Sequence, residues 1–195
     1  IETNAQFKQA KSNEEIIAWT SDYMDNAAKF DHFSGAVLIA RDGKPIFRKA
    51  YGMANYELDV PNSVNTKFRI GSVSKQFTAA AILQLRDQGK LGLDDPITRW
   101  LPDFETAGHT VTLRHLLAHT SGLVDLVEMP ELRAMQALRN PSVTRDDLYK
   151  VIRAHRFAFA PGTMQSYSST NYWLLGLVAE KASGMSYEHY VEQKI

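Results

Sequence analysis

The sequence predicts an α+β protein in which an early pair of antiparallel strands precedes a mainly helical region. Two runs rich in β-branched and other apolar residues, 35–41 and 45–51, flank Asp42-Gly43. Such a dipeptide favours a tight hairpin turn because both residues tolerate positive φ angles. From residue 72 to residue 181 the pattern is mostly helical, with interruptions at glycine and proline. A hairpin followed by helices is typical of the α+β class.

The other elements are predicted from their end signals. Ser12-x-x-Glu15 is a capping box, which predicts a helix over about residues 13–30. Residues 52–67 are rich in Asn, Asp and Pro and indicate a loop, whereas residues 186–195 have the composition of a helix. We therefore expect one domain portion with two parts, the first helix and strands in residues 1–67 and a mostly helical part in residues 68–195.

The composition limits the classes of partner. The 195 residues are 44% hydrophobic, enough for one substantial core, and the formal net charge is zero. A neutral chain gives no indication of nucleic-acid binding or of an anionic membrane surface. There is no apolar run long enough to span a bilayer, and without cysteine the chain forms no disulfide. We expect a periplasmic or secreted protein whose signal peptide was removed, with the cytoplasm as the alternative.

A serine and a lysine lie three residues apart within residues 68–83, where a helix is predicted to begin. Residues i and i+3 share one helix face, so the amine of Lys75 can reach the hydroxyl of Ser72 and activate it. The first N–H groups of a helix can also stabilise an oxyanion there. The alternative is a helix cap at Ser72 or Ser74 with a solvated Lys75. Against it, residues 77–83 are apolar almost all round and predict a buried helix.

Two further segments, taken with residues 68–83, resemble a known family. Residues 161–180 contain a Pro-Gly turn, a polar run and an apolar helix, and residues 116–123 read Leu-Leu-Ala-His-Thr-Ser-Gly-Leu. In this order the three segments resemble the serine β-lactamase and penicillin-binding-protein family. The closer resemblance is to its branch of class C β-lactamases, D-alanyl-D-alanine carboxypeptidases, esterases and D-aminopeptidases. It implies a β-lactamase/transpeptidase-like fold, in which a helical region is inserted between early and late strands of an antiparallel sheet.

By this resemblance Ser72 is the nucleophile that becomes acylated, and Lys75 is the partner that moves its proton. Tyr167 corresponds to the tyrosine of the second motif, Tyr-x-Asn, and a phenol beside an ammonium can lose its proton below its usual pKa of about 10. Either Lys75 or Tyr167 can be the general base. Ser169 stands where that motif has Asn, so it would bind substrate only partly or through water. This departure weakens the case for an efficient β-lactamase more than the case for a serine hydrolase.

The third motif of that family is Lys or His, then Thr or Ser, then Gly, and no such triplet occurs in a plausible strand. We therefore expect an N-terminal part whose late strands come from a C-terminal fragment of the same precursor. The resemblance implies a serine acyl hydrolase that acts on a D-amino-acid peptide, a β-lactam or an ester, with no cofactor and no metal ion. The alternative is a non-catalytic relative that binds ligand or acts as a scaffold.

Several other residues have competing interpretations. His115 and His119 lie four residues apart, but the Glu of a zinc protease motif is missing, so we interpret them as a histidine pair at a helix C-terminus. Ser121 lacks the Gly-x-Ser-x-Gly context of an α/β-hydrolase nucleophile. Three aromatic residues beside apolar helices are interpreted as core, with the border of a substrate cleft as the alternative: Trp100, Tyr172 and Trp173.

Overall fold

A computed structural model describes residues 12–30, 32–131, 144–154 and 156–195. The chain divides into two compact units between Arg69 and Ile70. The first unit holds one helix and the strands, and the second holds the other helices of the described residues. No helix in these residues is both long enough and apolar enough to cross a membrane.

The first unit begins with helix α1 (Asn13–Lys29). The N–H of Glu15 donates to Ser12 Oγ over 3.2 Å, and the N–H of Ser12 donates to the Glu15 carboxylate over 2.9 Å. This reciprocal capping box satisfies N–H groups that the first helical turn leaves without an acceptor. The predicted capping box is confirmed, and the helix ends at Lys29 rather than at Phe30.

The hairpin of the first unit consists of β1 (Gly35–Arg41) and β2 (Lys44–Tyr51), which pair antiparallel. In the turn, Asp42 has a φ angle of 50° and Gly43 one of 73°. Two successive positive φ angles are what a two-residue turn needs to match the twist of its strands. The predicted hairpin is therefore confirmed.

Residues 52–67, predicted as a loop, contain two short strands. β3 (Met53–Asn55) pairs antiparallel with β4 (Val60–Pro61). The side-chain amide of Asn62 ties this ribbon to the hairpin, since it donates to the carbonyl of Tyr51 over 2.9 Å. Strands of two or three residues are too short to show alternation in a sequence, which is why the prediction missed them.

The second unit is less helical than predicted. Residues 118–129 form turns and an isolated bridge, and the first long helix ends at Asp87, two residues before Gly89, which has a φ angle of 69°. The helix predicted in residues 186–195 is confirmed. The described helices are a 3₁₀ helix at Gly71–Ser74, α2 (Lys75–Asp87), a 3₁₀ helix at Ile97–Arg99, α3 (Leu113–Leu117), α4 (Arg145–Arg153), α5 (Ser169–Ser183) and α6 (Tyr187–Lys194).

The core of the second unit packs α2 against α5. Ile82 and Leu85 of α2 and Leu174 of α5 are among its fully buried side chains. The predicted burial of α2 on all sides is wrong, because Leu83 is 38% exposed and only one face of the helix is covered. Since α2 and α5 are packed side by side, the residues at their N-terminal ends are held at fixed positions.

Candidate active site

The N-terminal end of α2 carries the predicted serine and lysine. Ser72 lies in the 3₁₀ helix before α2, and Lys75 is the first residue of α2. Lys75 Nζ donates to Ser72 Oγ over 3.2 Å. At the N-cap of α2, Ser74 makes no side-chain capping bond. The capping alternative therefore does not describe this turn, and the structure brings the two candidate residues into contact.

The hydroxyl of Tyr167 reaches the same point from a distant part of the chain. It lies 2.7 Å from Ser72 Oγ, and Lys75 Nζ lies 4.8 Å from the centroid of the Tyr167 ring. A hydrogen bond from Lys75 is the main cause that lowers the pKa of Tyr167, and the hydrogen bond with Ser72 lowers it further. Three of the predicted site residues thus form one cluster of contacting groups.

The backbone around His119 supports the segment that carries Tyr167. The N–H of Ser166 donates to the carbonyl of His119 over 2.9 Å. Gly122, at a φ of 79°, lies so close to this segment that a Cβ atom would overlap the carbonyl oxygen of Phe159. Only glycine fits both the φ angle and this approach. The segment 116–123 therefore acts as a close-fitting backbone support for the tyrosine.

Ser169 is the first residue of α5. Its N–H donates to Asp125 Oδ2 over 3.0 Å, and Asp125 is itself buried. A carboxylate at a helix N-terminus is favourable because it meets unpaired N–H groups and the positive end of the helix dipole. The Ser169 side chain also forms a hydrogen bond that lowers the pKa of Tyr167. Ser169 therefore lies beside the cluster, and its contact with substrate stays a prediction.

His119 belongs to the site although the sequence analysis did not place it there. Its ring centroid lies 4.6 Å from that of Tyr167 and 5.2 Å from that of Tyr172. Burial is the main cause that lowers the pKa of His119, and the positive charge of Lys75 adds to it. A neutral imidazole therefore packs against the phenol of the candidate site.

The predicted pair of histidines at a helix C-terminus is confirmed for His115, which lies in the last turn of the five-residue helix α3, and is wrong for His119. The Nδ1 atom of His115 also accepts a hydrogen bond from the N–H of Thr112, the N-cap residue of α3, over 3.3 Å. The helix ends at Leu117, so His119 lies beyond it, and its φ angle of 57° is not helical. The spacing of four residues brings side chains together only where a helix continues. The Thr-Ser-Gly run after His119 was the available signal that it does not.

Two buried polar residues lie behind His119. Ser121 Oγ donates to Asn171 Oδ1 over 2.6 Å, and Asn171 Nδ2 lies 3.2 Å from His119 Nδ1. Both Ser121 and Asn171 are buried, so these bonds are protected from water. Sequence reasoning missed this contact because it depends on a long-range approach of α5 to the segment 116–123.

The three aromatic candidates separate into two groups. Trp100 and Trp173 pack against the core of the second unit, as interpreted from the sequence. Tyr172 also packs there, but its ring centroid lies 5.7 Å from Lys75 Nζ, and its hydroxyl donates to the carbonyl of Leu117 over 3.1 Å. Tyr172 therefore forms part of the wall around the lysine.

The arrangement has the chemistry of an activated serine. A hydroxyl contacts both an amine and a phenol with a lowered pKa, and either neighbour can take its proton. In the described part of the chain, no group of three or more His, Asp or Glu side chains could hold a metal ion.

Comparison with known proteins gives a consistent group of relatives. A family model described as Beta-lactamase matches residues 22–195. The putative penicillin-binding protein PbpX of Bacillus subtilis (strain 168) is 35% identical over 190 residues, which cover 96% of this chain and 46% of PbpX. The chain thus spans less than half the length of this curated relative.

Solved structures with a similar fold include two hydrolases. EstCE1, described as a hydrolase with promiscuous acyltransferase activity, matches with a TM-score of 0.81 at 28% identity, over 94% of this chain and 51% of that one. A class C β-lactamase in complex with cefoxitin matches with a TM-score of 0.76 at 28% identity, over 94% of this chain and 49% of that one. About half of each solved chain is therefore represented here.

Proposed function

The chain belongs to the beta-lactamase family and has its transpeptidase-like fold, and from this premise we propose that it carries the nucleophile of a serine acyl hydrolase that works through a covalent acyl-enzyme. One observation carries the proposal: Ser72 Oγ contacts both the hydroxyl of Tyr167 and Nζ of Lys75. A serine hydroxyl is a weak nucleophile until a neighbouring base takes its proton. Here two candidate bases are in place.

In the proposed acylation step, Ser72 Oγ attacks the substrate carbonyl carbon while its proton passes to Tyr167 or Lys75. Tyr167 can accept it because the lowered pKa of its phenol raises the fraction present as phenolate, and its oxygen lies 2.7 Å from Ser72 Oγ. The N–H of Ser72 lies in the first turn of a 3₁₀ helix, where N–H groups have no helical acceptor, and can donate to the oxyanion. The intermediate then collapses, and the leaving group departs with the proton.

In the proposed deacylation step, water attacks the carbonyl carbon of the acyl group on Ser72. The general base, Tyr167 or Lys75, takes a proton from that water, and the bond between the acyl carbon and Ser72 Oγ breaks. Ser72 Oγ recovers the proton, so the hydroxyl is regenerated and the acyl group leaves as a carboxylic acid. The same pair of neighbours thus serves both half-reactions.

The proposed substrate is a D-amino-acid peptide, a β-lactam or an ester. This range is supported by the relatives, which include a penicillin-binding protein, a class C β-lactamase and a hydrolase with acyltransferase activity. Ser169 offers one hydroxyl where the family motif has an amide with both donor and acceptor groups. An efficient β-lactamase is therefore the least favoured of the three.

We also propose that a C-terminal part of the same precursor completes the site. Oxyanion holes commonly pair the N–H of the nucleophile with a second donor. Ser72 supplies the first donor, and we expect the second from the late strand that carries the third motif of the family. Adding that part would also extend the hairpin sheet of the first unit, since a two-stranded sheet is only marginally stable alone.

A non-catalytic binding or scaffold protein is the second candidate function. The observation that favours it is Ser169, because a site that lacks the usual amide could bind ligand without turnover. The two candidates differ in one measurable property, the formation of a covalent bond at Ser72.

Covalent labelling of the intact protein tests the proposal. A fluorophosphonate probe and a fluorescent penicillin are each incubated with the wild type, Ser72→Ala and the matched control Ser74→Ala. We expect Ser72→Ala to lower the labelling rate by about 10⁴-fold or more, as for other nucleophiles removed from a catalytic unit. Ser74→Ala should label normally, since its hydroxyl caps no helix. Labelling that survives Ser72→Ala contradicts the assignment, and an unlabelled wild type favours the non-catalytic candidate.

A further inference from the structure

A buried row of hydrogen bonds leads to the ring of His119. The N–H of Leu123 donates to Ser121 Oγ over 3.1 Å, and Ser121 Oγ donates to Asn171 Oδ1 over 2.6 Å. Asn171 Nδ2 lies 3.2 Å from His119 Nδ1, and the N–H of Ser168 donates to the same Nδ1 over 3.2 Å. His119 Nδ1 therefore lies within hydrogen-bond distance of two nitrogen atoms, Asn171 Nδ2 and the backbone nitrogen of Ser168.

Backbone donors fix the direction of every bond in this row. The N–H of Ser168 can only donate, so His119 Nδ1 must carry a lone pair and not a proton. Asn171 must then turn its NH₂ group to Nδ1 and its carbonyl to Ser121, whose hydroxyl has to donate. The N–H of Leu123 occupies an acceptor position of that hydroxyl, which agrees with this direction. His119 is therefore a neutral imidazole with its proton on Nε2.

On its other side His119 faces the groups that react. Its ring is tilted by 31° against the ring of Tyr167. The titratable or charged groups around it in the described residues are Tyr167, Tyr172, Lys75 and Asp125. Burial and the Lys75 charge lower the pKa of His119, and the Asp125 carboxylate opposes them. A proton on Nδ1 would add a second cation beside Lys75 and displace two hydrogen-bond donors.

We propose that His119 is a positioning residue of the site and that Asn171 holds it in the neutral form. In that form Nδ1 accepts a hydrogen bond from the backbone N–H of Ser168, the residue after Tyr167. The His119 ring also packs against the ring of Tyr167 and limits its movement. The catalytic consequence rests on the proposed function, whereas the proton position on His119 does not. Asn171 thereby keeps His119 from protonating in mildly acidic solution, where a free imidazole with a pKa of about 6.5 would be charged.

The pH dependence of Ser72 acylation tests this role in the intact protein, with a nitrophenyl ester as the probe. Asn171→Asp replaces the NH₂ donor by a carboxylate of the same size, which stabilises a proton on Nδ1. We expect the acidic limb of the acylation rate to move up by about one pH unit, a tenfold loss at mildly acidic pH.

The matched control is His119→Asn, alone and combined with Asn171→Asp. Asn keeps an acceptor near the position of Nδ1, tolerates the φ angle of 57° and does not titrate. The shift caused by Asn171→Asp should therefore vanish in the double variant. A shift of equal size in the single and double variants overturns the proposal, because His119 would then not transmit it.

Nitrogen-15 spectra of the wild-type protein labelled at histidine give the proton position directly, with His119→Asn to assign the signal. We expect an unprotonated Nδ1 and a protonated Nε2 from neutral pH down to about pH 6.5, the pKa of a free imidazole. A protonated Nδ1 in this range overturns the proposal, and this test stands even if Asn171→Asp does not fold. The expected tautomer together with no acylation in any form would overturn the proposed function and support the proton assignment.

Discussion

The two units differ in how completely their large apolar side chains are buried. In the second unit, Ile82 and Leu174 are fully buried in a core that several helices share. In the first unit, Trp19 is 60% exposed and Leu58 is 72% exposed, while Phe47 is one of its few buried apolar residues in the described part of the chain. The same kinds of residue thus have different surroundings in the two units.

The difference follows from the elements of each unit. One helix and two short antiparallel ribbons give little enclosed volume, whereas packed helices enclose a core. A catalytic group must be held within a fraction of an ångström, which needs rigid, well-packed support. Ser72, Lys75 and Tyr167 all belong to the second unit. Equivalent substitutions should therefore have large effects in the second unit and small ones in the first.

The largest difference is expected when a phenol hydroxyl is removed from each unit. Tyr167→Phe should lower kcat/KM for a nitrophenyl ester by about 10² to 10⁴-fold, the usual contribution of a general acid–base group. Tyr23→Phe should leave it unchanged, because Tyr23 is 59% exposed and its stacking on Trp19 needs only the ring. Because Lys75 lowers the pKa of Tyr167, the rate in the wild type should fall as the pH drops through that lowered pKa. Similar kinetics for both variants would remove Tyr167 from the mechanism.

A second comparison measures stability instead of rate. Leu174→Ala should lower the free energy of unfolding by about 2 to 5 kcal/mol, because it leaves a cavity in a fully buried position. Leu58→Ala should change it by no more than about 0.5 kcal/mol, as is usual for exposed positions. Denaturant midpoints of the intact protein give both values. A large cost for Leu58→Ala would mean that another part of the intact protein covers that residue.

Much of the local structure was predictable because its signals are themselves local. The capping box joins Ser12 to Glu15, and the hairpin turn depends on the adjacent pair Asp42-Gly43. The contact of Ser72 with Lys75 depends on a spacing of three residues at a helix start. Each of these features is set by the φ and side-chain preferences of a few neighbouring residues, which a sequence displays directly.

The support of the site was not predictable for the opposite reason. The contact between His119 and Asn171 joins residues 52 positions apart in the chain. It also depends on the positive φ angle of His119, which only a few per cent of residues other than glycine adopt. A spacing rule that assumes a continuous helix therefore paired His119 with His115 instead. Tertiary packing decided this position, and the pattern around it did not display that packing.

The smallest expected effect lies within the second unit, at Ser169. Restoring the amide with Ser169→Asn should raise kcat/KM for a chromogenic cephalosporin by about three- to tenfold, the value of one added hydrogen bond. A nitrophenyl ester should gain less than about twofold, since its better leaving group needs less help from a positioned donor. Ser166→Asn is the matched control, because the same change is made nearby on an exposed side chain. An equal rise in kcat/KM for the two substrates, or an equal rise in the control variant, would show that Ser169 does not bind the substrate. The second motif of the family would then have lost its substrate-binding role in this chain.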